Sequence, residues 1–305
     1  MANFTPAELK SQLGTGLLSF PVTHFTPDLA FDEGAYRAHV GRMASFDIAG
    51  LFAAGGTGEG FSLTNEEIAA VVQAAVSEVD GAKPVLAPAL GATANAIQQA
   101  RAAEAAGADG LLIFPPYLTE ASQEGLIEHV SAICSATSLG AVVYSRANGV
   151  LTDHSVAVLA DRNPTLIGLK DGVGNVELMA RIFARLGDRL TYIGGLPTAE
   201  TFALPYVEMG VSTYSSAMFN FVPRFALDFY ADVRAGNREG VYRRMNEFVV
   251  PYLDIRDRGK GFGVSIVKAG LTAVGRPAGP VRPPLRELSD TDLADLTALI
   301  RAVEG

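Results

Sequence analysis

Thr165-Leu166-Ile167-Gly168-Leu169-Lys170-Asp171-Gly172-Val173-Gly174 reads as a buried strand that ends in a charge. A short apolar run with β-branched residues leads up to Lys170, and the glycines beyond it signal a turn. A strand that buries both faces has no packing reason to finish in an ammonium group. If the strand belongs to a barrel, its end lies where chemistry is normally found. A lysine held there can lose its proton near neutral pH and attack a carbonyl carbon. The alternative is a lysine that leaves the strand for solvent along its alkyl stem.

Working outward from that stretch, strand-like and helix-like patterns alternate. Strands fit 17–22, 49–54, 85–89, 110–114, 141–144, 166–170, 190–194 and 211–215. Helical patterns fit 5–13 ahead of them, then 32–45, 65–79, 94–106, 123–137, 155–160, 176–186, 198–209 and 221–235. Thr64-Asn65-Glu66-Glu67 is a capping box, and Gly107 stops one helix just before a strand begins at Gly110. Eight strand–helix units in succession predict an α/β fold, a parallel (β/α)8 TIM barrel, with a doubly wound open sheet as the competitor. Beyond Gly236 the pattern is purely helical, over 237–257, 264–274 and 290–303, with Pro277, Pro280, Pro283 and Pro284 stiffening the last link. The expectation is one domain, 1–305: a barrel over 1–236, and C-terminal helices over 237–305 packed on its flank or serving an oligomer contact.

Composition narrows the function classes. The chain is 49% hydrophobic and carries a net charge of −9 with no basic tract, which argues against nucleic acid or an anionic membrane as partner. An anionic substrate would need local positive groups. The single cysteine, Cys134, excludes an internal disulfide, suits a reducing compartment, and falls in an apolar helical stretch as a core residue. The N-terminus lacks a basic segment followed by an apolar one, so no signal peptide is expected, and a cytoplasmic location follows. His24, His39, His129 and His154 are scattered, with no metal-ligand spacing, so no metal site is expected. Among the other lysines, Lys10, Lys83 and Lys260 lie at a polar helix, a strand start and a loop. Lys268 is the rival to Lys170, explained by snorkelling from a helix.

The C-terminal ends of barrel strands converge on one face, so residues at those ends become neighbours. Gly55-Gly56-Thr57-Gly58-Glu59-Gly60 follows the second strand; clustered glycines let amides form an anion nest, and Thr57 adds a hydroxyl. A flexible turn is the other reading of that loop. Tyr144-Ser145-Arg146-Ala147-Asn148 ends the fifth strand. There Tyr144 could shuttle protons and Arg146 could grip a carboxylate, or the two could be a core ring and a solvated charge. Gly195, after the seventh strand, and Ser215 and Ser216, at the eighth, are candidate backbone and hydroxyl liners.

Taken in chain order, these motifs resemble the dihydrodipicolinate synthase / N-acetylneuraminate lyase family of lysine Schiff-base barrels. Gly55-Gly56-Thr57-Gly58-Glu59 matches that family's carboxylate loop, Tyr144 its proton-relay tyrosine, and Gly168-Leu169-Lys170-Asp171 its imine lysine. Two departures stand out. The arginine of the synthases' Tyr-Asn-x-Pro-x-Arg motif falls on Gly149, and the second tyrosine of their Pro-Tyr-Tyr motif, lent across a subunit contact, falls on Leu118. With the segments at 20–25, 194–200 and 279–285, these departures make the chain most similar to the family's decarboxylating dehydratases. That branch converts 5-dehydro-4-deoxyglucarate to 2,5-dioxopentanoate, carbon dioxide and water in sugar-diacid catabolism.

The resemblance implies a small-molecule keto-deoxy sugar diacid as partner, a homodimer or homotetramer, and no metal or organic cofactor. It implies Lys170 as the imine-forming amine and Tyr144 as the proton-transfer group. Gly56, Thr57 and Gly58 would hold the carboxylate beside the ketone. Arg146, Asn148, Gly195, Ser215 and Ser216 are candidates for the remaining substrate groups. Rival readings are an aldolase releasing pyruvate, a condensing enzyme like the synthases, a sugar-acid sensor without turnover, and a barrel cradling phosphate at Gly55 to Gly60.

Overall fold

Short strands suffice to build this sheet because nearly every residue in them is buried, between the barrel interior on one face and a layer of helices on the other. The structure, a computed structural model, describes residues 2–304. Strands β1 (Leu18–Ser19), β2 (Gly50–Phe52), β3 (Val85–Ala89), β4 (Gly110–Ile113), β5 (Gly140–Ser145), β6 (Leu166–Asp171), β7 (Thr191–Gly194) and β8 (Thr213–Ser216) pair in chain order. Every pairing is parallel, and β8 returns to β1 with Leu18 opposite Ser215, closing the barrel. The open doubly wound sheet is thereby excluded.

Around it run α2 (Glu33–Ala44), α3 (Asn65–Val79), α4 (Thr93–Ala106), α5 (Gln123–Cys134), α6 (Asp153–Arg162), α7 (Val176–Leu186), α8 (Glu200–Glu208) and α9 (Pro223–Arg234), after a first helix, α1 (Pro6–Leu13). Thr64 and Glu67 form the expected reciprocal cap of α3, and Gly107 ends α4 in the left-handed region. Two apolar clusters result. The outer one lies between sheet and helices and takes in Cys134. The inner one stacks Leu18, Phe52, Leu86, Leu112, Val142, Ile167 and Ile193 inside the barrel, and Leu9 and Leu13 of α1 pack against its N-terminal end as a stopper. Fully burying one such side chain is worth roughly 1.5–3 kcal/mol.

Element bounds shift by a few residues in several places, and two elements differ more deeply from the sequence reading, each for a physical reason. β1 is far shorter than 17–22, because its continuation leaves the ladder: the Val22 amide donates to Asn220 Oδ1 and Thr23 Oγ1 donates to the Gly58 carbonyl. The stretch 237–257 is not one α-helix. It runs α10 (Arg238–Arg244), a π-helical turn at Met245–Val249, then α11 (Val250–Arg256). Pro251 has no amide hydrogen and its ring crowds the carbonyl four residues back, which a wider turn relieves. Then follow α12 (Phe262–Ala273) and α13 (Asp290–Glu304). Helix α12 packs beside the turn Met218–Asn220 after β8, and α13 packs on α11 and α12.

Candidate active site

Lys170 points into the barrel because β6 carries one extra residue. Ala141 pairs with Leu166 but Val142 pairs with Gly168, so Ile167 is a bulge that resets the inward–outward alternation. Lys170 then lies level with Tyr144 on β5 and Ile193 on β7. It is 3% exposed, so the solvent-seeking alternative fails. Its Nζ donates to the Gly195 carbonyl at 3.2 Å and sits 3.7 Å from the centre of the Tyr144 ring and 5.0 Å from that of Phe20. Burial lowers the Lys170 ammonium pKa; Tyr144 opposes that shift and Arg146 adds to it. Burial alone would raise the Tyr144 phenol, but the nearby Lys170 and Arg146 charges outweigh it and hold the phenol below its ordinary value. Burial thus eases loss of the Lys170 proton, and the neighbouring positive groups ease loss of the Tyr144 proton.

The Gly195 carbonyl organises both groups, accepting from the Tyr144 hydroxyl at 2.5 Å as well as from Lys170. A side chain there would displace its neighbours: a Cβ on Gly195 would lie 2.5 Å from Lys170 Cγ, 2.8 Å from its Nζ and 2.8 Å from the Asp171 carbonyl oxygen.

These residues open onto a cavity of about 670 Å³ at the C-terminal end of the barrel, lined also by Gly56, Thr57, Arg146, Asn148 and Ser215. Among the described residues, Lys170 and Arg146 are the charged groups on that lining, and no carboxylate is among them. A chain of net charge −9 therefore presents a locally cationic cup. Arg146 lies with its guanidinium 5.3 Å from the Tyr144 ring centre.

Not every candidate falls on the lining. Gly58 sits behind the loop, where a Cβ would come within 3.0 Å of the Pro21 carbonyl oxygen and 3.1 Å of Ala54 Cα. Ser216 is buried and donates to Glu200 Oε1 at 2.6 Å, facing away from the cavity, because alternation turns it outward once Ser215 faces in. The Asn148 amide nitrogen is committed to the loop beside it, donating to the carbonyls of Pro116, Tyr117 and Leu118 at 2.7, 3.1 and 3.3 Å.

Three features escaped the sequence reading. Phe20 forms part of the cavity floor. Its backbone carbonyl accepts from Asn220 Nδ2, while Asn220 Oδ1 is held by His39 Nε2 at 2.9 Å. His24 and His39 are not scattered but adjacent, with ring centres 5.1 Å apart. Lys268 does not snorkel: it is 2% exposed and pairs with the fully buried Glu59 at 2.7 Å. Nothing in local spacing ties positions so distant in sequence, though an acidic residue ending a glycine loop and a lysine in an apolar helix each called for a partner. Among the described residues no group of three or more His, Cys, Asp or Glu is placed to hold a metal ion. No helix among them is long and apolar enough to cross a membrane.

Residues 14–303 match the dihydrodipicolinate synthetase family. The chain belongs to that family. Two curated relatives, each named probable 5-dehydro-4-deoxyglucarate dehydratase, come from Arthrobacter sp. (strain FB24) and Methylobacterium radiotolerans. The first is 65% identical over 99% of this chain and 100% of its own length. The second is 62% identical over 98% of this chain and 99% of its own length. The crystal structure of dihydrodipicolinate synthase from Bacillus clausii superposes with a TM-score of 0.89 at 26% identity, over 97% of this chain and 100% of that one. Within the dihydrodipicolinate synthetase family, the departures at Gly149 and Leu118 acquire a physical setting. A Cβ on Gly149 would sit 2.6 Å from Pro115 Cβ, so this backbone has no room for an arginine there. Leu118 and its neighbour Tyr117 are 56% and 90% exposed, beside the cavity mouth.

Proposed function

We propose that this chain is a lyase that dehydrates and decarboxylates 5-dehydro-4-deoxy-D-glucarate through an imine on Lys170. The observation that carries the reading is a buried amine at the floor of a cup lined by Thr57 and Arg146 and by no carboxylate. Such a cup suits a diacid carrying a ketone, and the printed names of the curated relatives support this substrate and reaction.

The Lys170 amine attacks the C5 ketone, and loss of water gives an iminium. That group acidifies C4; removal of a C4 proton and departure of the C3 hydroxyl as water leave an unsaturated iminium conjugated from C5 to C3. The C1–C2 bond then breaks. Its electrons pass through C2–C3 and C3–C4 into the nitrogen, carbon dioxide departs, and the C2 enol relaxes to an aldehyde. Hydrolysis frees 2,5-dioxopentanoate and restores the amine. One electron sink serves both bond cleavages. Tyr144 moves protons while the imine forms and hydrolyses; Thr57 and the Gly56 amide hold the carboxylate beside the ketone, and Arg146 and Ser215 serve the far end of the diacid. The helices beyond residue 236 complete a single domain with the barrel, and the chain works as a homodimer or homotetramer.

Product identification tests the reading. Wild-type protein given 5-dehydro-4-deoxyglucarate should release carbon dioxide and 2,5-dioxopentanoate, and borohydride should leave a mass adduct on Lys170. Lys170→Ala should lose turnover by more than the ~10²–10⁴-fold typical of a missing proton-transfer group, because the electron sink itself is gone. Pyruvate among the wild-type products would show an aldolase instead.

A further inference from the structure

The loop that lines one wall of the cavity is held from behind by a helix that arrives more than two hundred residues later. Glu59 closes the Gly55 to Gly60 loop in a left-handed conformation, φ 56°, which a non-glycine residue adopts only when its surroundings hold it there. Its Oε1 meets Lys268 Nζ at 2.7 Å as an ion pair without hydrogen-bond geometry, and Oε2 accepts from the Arg282 amide at 3.1 Å and from Ser62 Oγ at 3.3 Å. Lys268 in turn donates to the Pro280 carbonyl at 2.8 Å and lies 4.2 Å from the centre of the Phe25 ring. Arg282 extends the brace, reaching Glu67 at the start of α3 and the carbonyls of Leu29 and Ser62. The same segments reach the cavity on their other side: Gly263 and Val264 begin α12, which carries Lys268, and Leu285 lies just beyond Arg282.

We propose that the buried Glu59–Lys268 pair is a positioning device that sets the geometry of the Thr57 loop, so that α12 forms part of the substrate-binding machinery. A buried ion pair is a poor source of net stability, because desolvating two charges offsets most of their attraction. What it supplies is direction. The pair is fixed at both ends, and two residues before Glu59 stands Thr57, whose aim decides how a carboxylate sits against Lys170. Neither Glu59 nor Lys268 lines the cavity, so both act through the loop and not on the substrate.

This inference rests on the imine reading, and the experiment separates the two. Pyruvate is the probe, since it needs Lys170 and the carboxylate loop but no contact at the far end of the cup. Borohydride trapping followed by mass spectrometry counts competent sites and gives the pyruvate concentration that half-saturates them. Glu59→Gln and Lys268→Met should each raise that concentration, and KM for the diacid, by about tenfold or more, with kcat per trappable site changing far less. An unchanged half-saturation, with only fewer competent sites, would reduce the pair to a fold-stabilising contact and overturn the inference. Wild-type protein that yields no pyruvate adduct would overturn the imine reading instead. If Lys268→Met does not fold, Glu59→Gln decides alone, because it keeps the shape of the side chain and its Arg282 and Ser62 contacts.

Discussion

At the scale of single residues, Gly195 sets a close tolerance beside the Lys170 amine. Its carbonyl is the shared acceptor for the Lys170 amine and the Tyr144 hydroxyl, and the space where its side chain would be is filled by the Lys170 stem. Gly195→Ala must therefore push the Lys170 side chain aside and press on the Asp171 carbonyl at the end of β6. Misplacing a reacting group by about an ångström can lower a rate ~10²-fold. The variant is expected to show that order of loss in kcat, with an unchanged circular dichroism spectrum and a weakened borohydride adduct on Lys170. An unaltered kcat would show that the amine does not need this placement.

At the scale of elements, the loops around the rim differ in how they are fastened. Asn148 spans three carbonyls of the 116–118 loop with one amide nitrogen. Asn148→Ala should free that loop. Amide exchange at residues 117–120 is expected to accelerate, with a global stability loss of roughly 1 kcal/mol or less, since hydrogen bonds at an exposed loop contribute modestly. Unchanged exchange would assign the restraint to packing alone.

The same contrast explains what the sequence could reveal. Strand and helix alternation, the Thr64–Glu67 cap and the strand-end places of Lys170, Tyr144 and Thr57 were legible, because periodicity and motif are local. The Ile167 bulge that aims Lys170 is not, since it exists only in the pairing of β5 with β6. Nor was the partner of Lys268, 209 positions away at Glu59, or the turn that sends Ser216 toward Glu200. A strand as short as β1 was overdrawn because the apolar run continues past the point where its amides find Asn220.

At the scale of the whole molecule, buried titrating groups limit stability on both sides of neutrality. Glu200 is 2% exposed, and burial raises its carboxyl from an ordinary 4.5 to about 7. The folded state thus keeps a proton that the unfolded chain has released, so stability is full below 4.5 and falls as pH rises from there through about 7. His24 and His39 work in the opposite sense. Burial depresses them from 6.5 to about 3 and about 4, so their contribution is full above 6.5 and is lost as pH falls toward those values. Glu200→Gln should therefore gain on wild type as pH rises from 5 to 8, by a few kcal/mol at most on the order set by 1.4 kcal/mol per pH unit. Urea midpoints at the two pH values measure it; parallel changes in both proteins would mean that the carboxyl ionises freely in the folded state.

Leu9 and Leu13 cork the far end of the barrel, so the reaction chamber opens at the rim formed by the strand ends. Under the imine reading, traffic through it is ordered by covalent tether. The released gas must slip out past a remnant still bonded to the lysine, and the aldehyde follows only when water has cut it loose. A plugged base thus turns a shared portal into a queue.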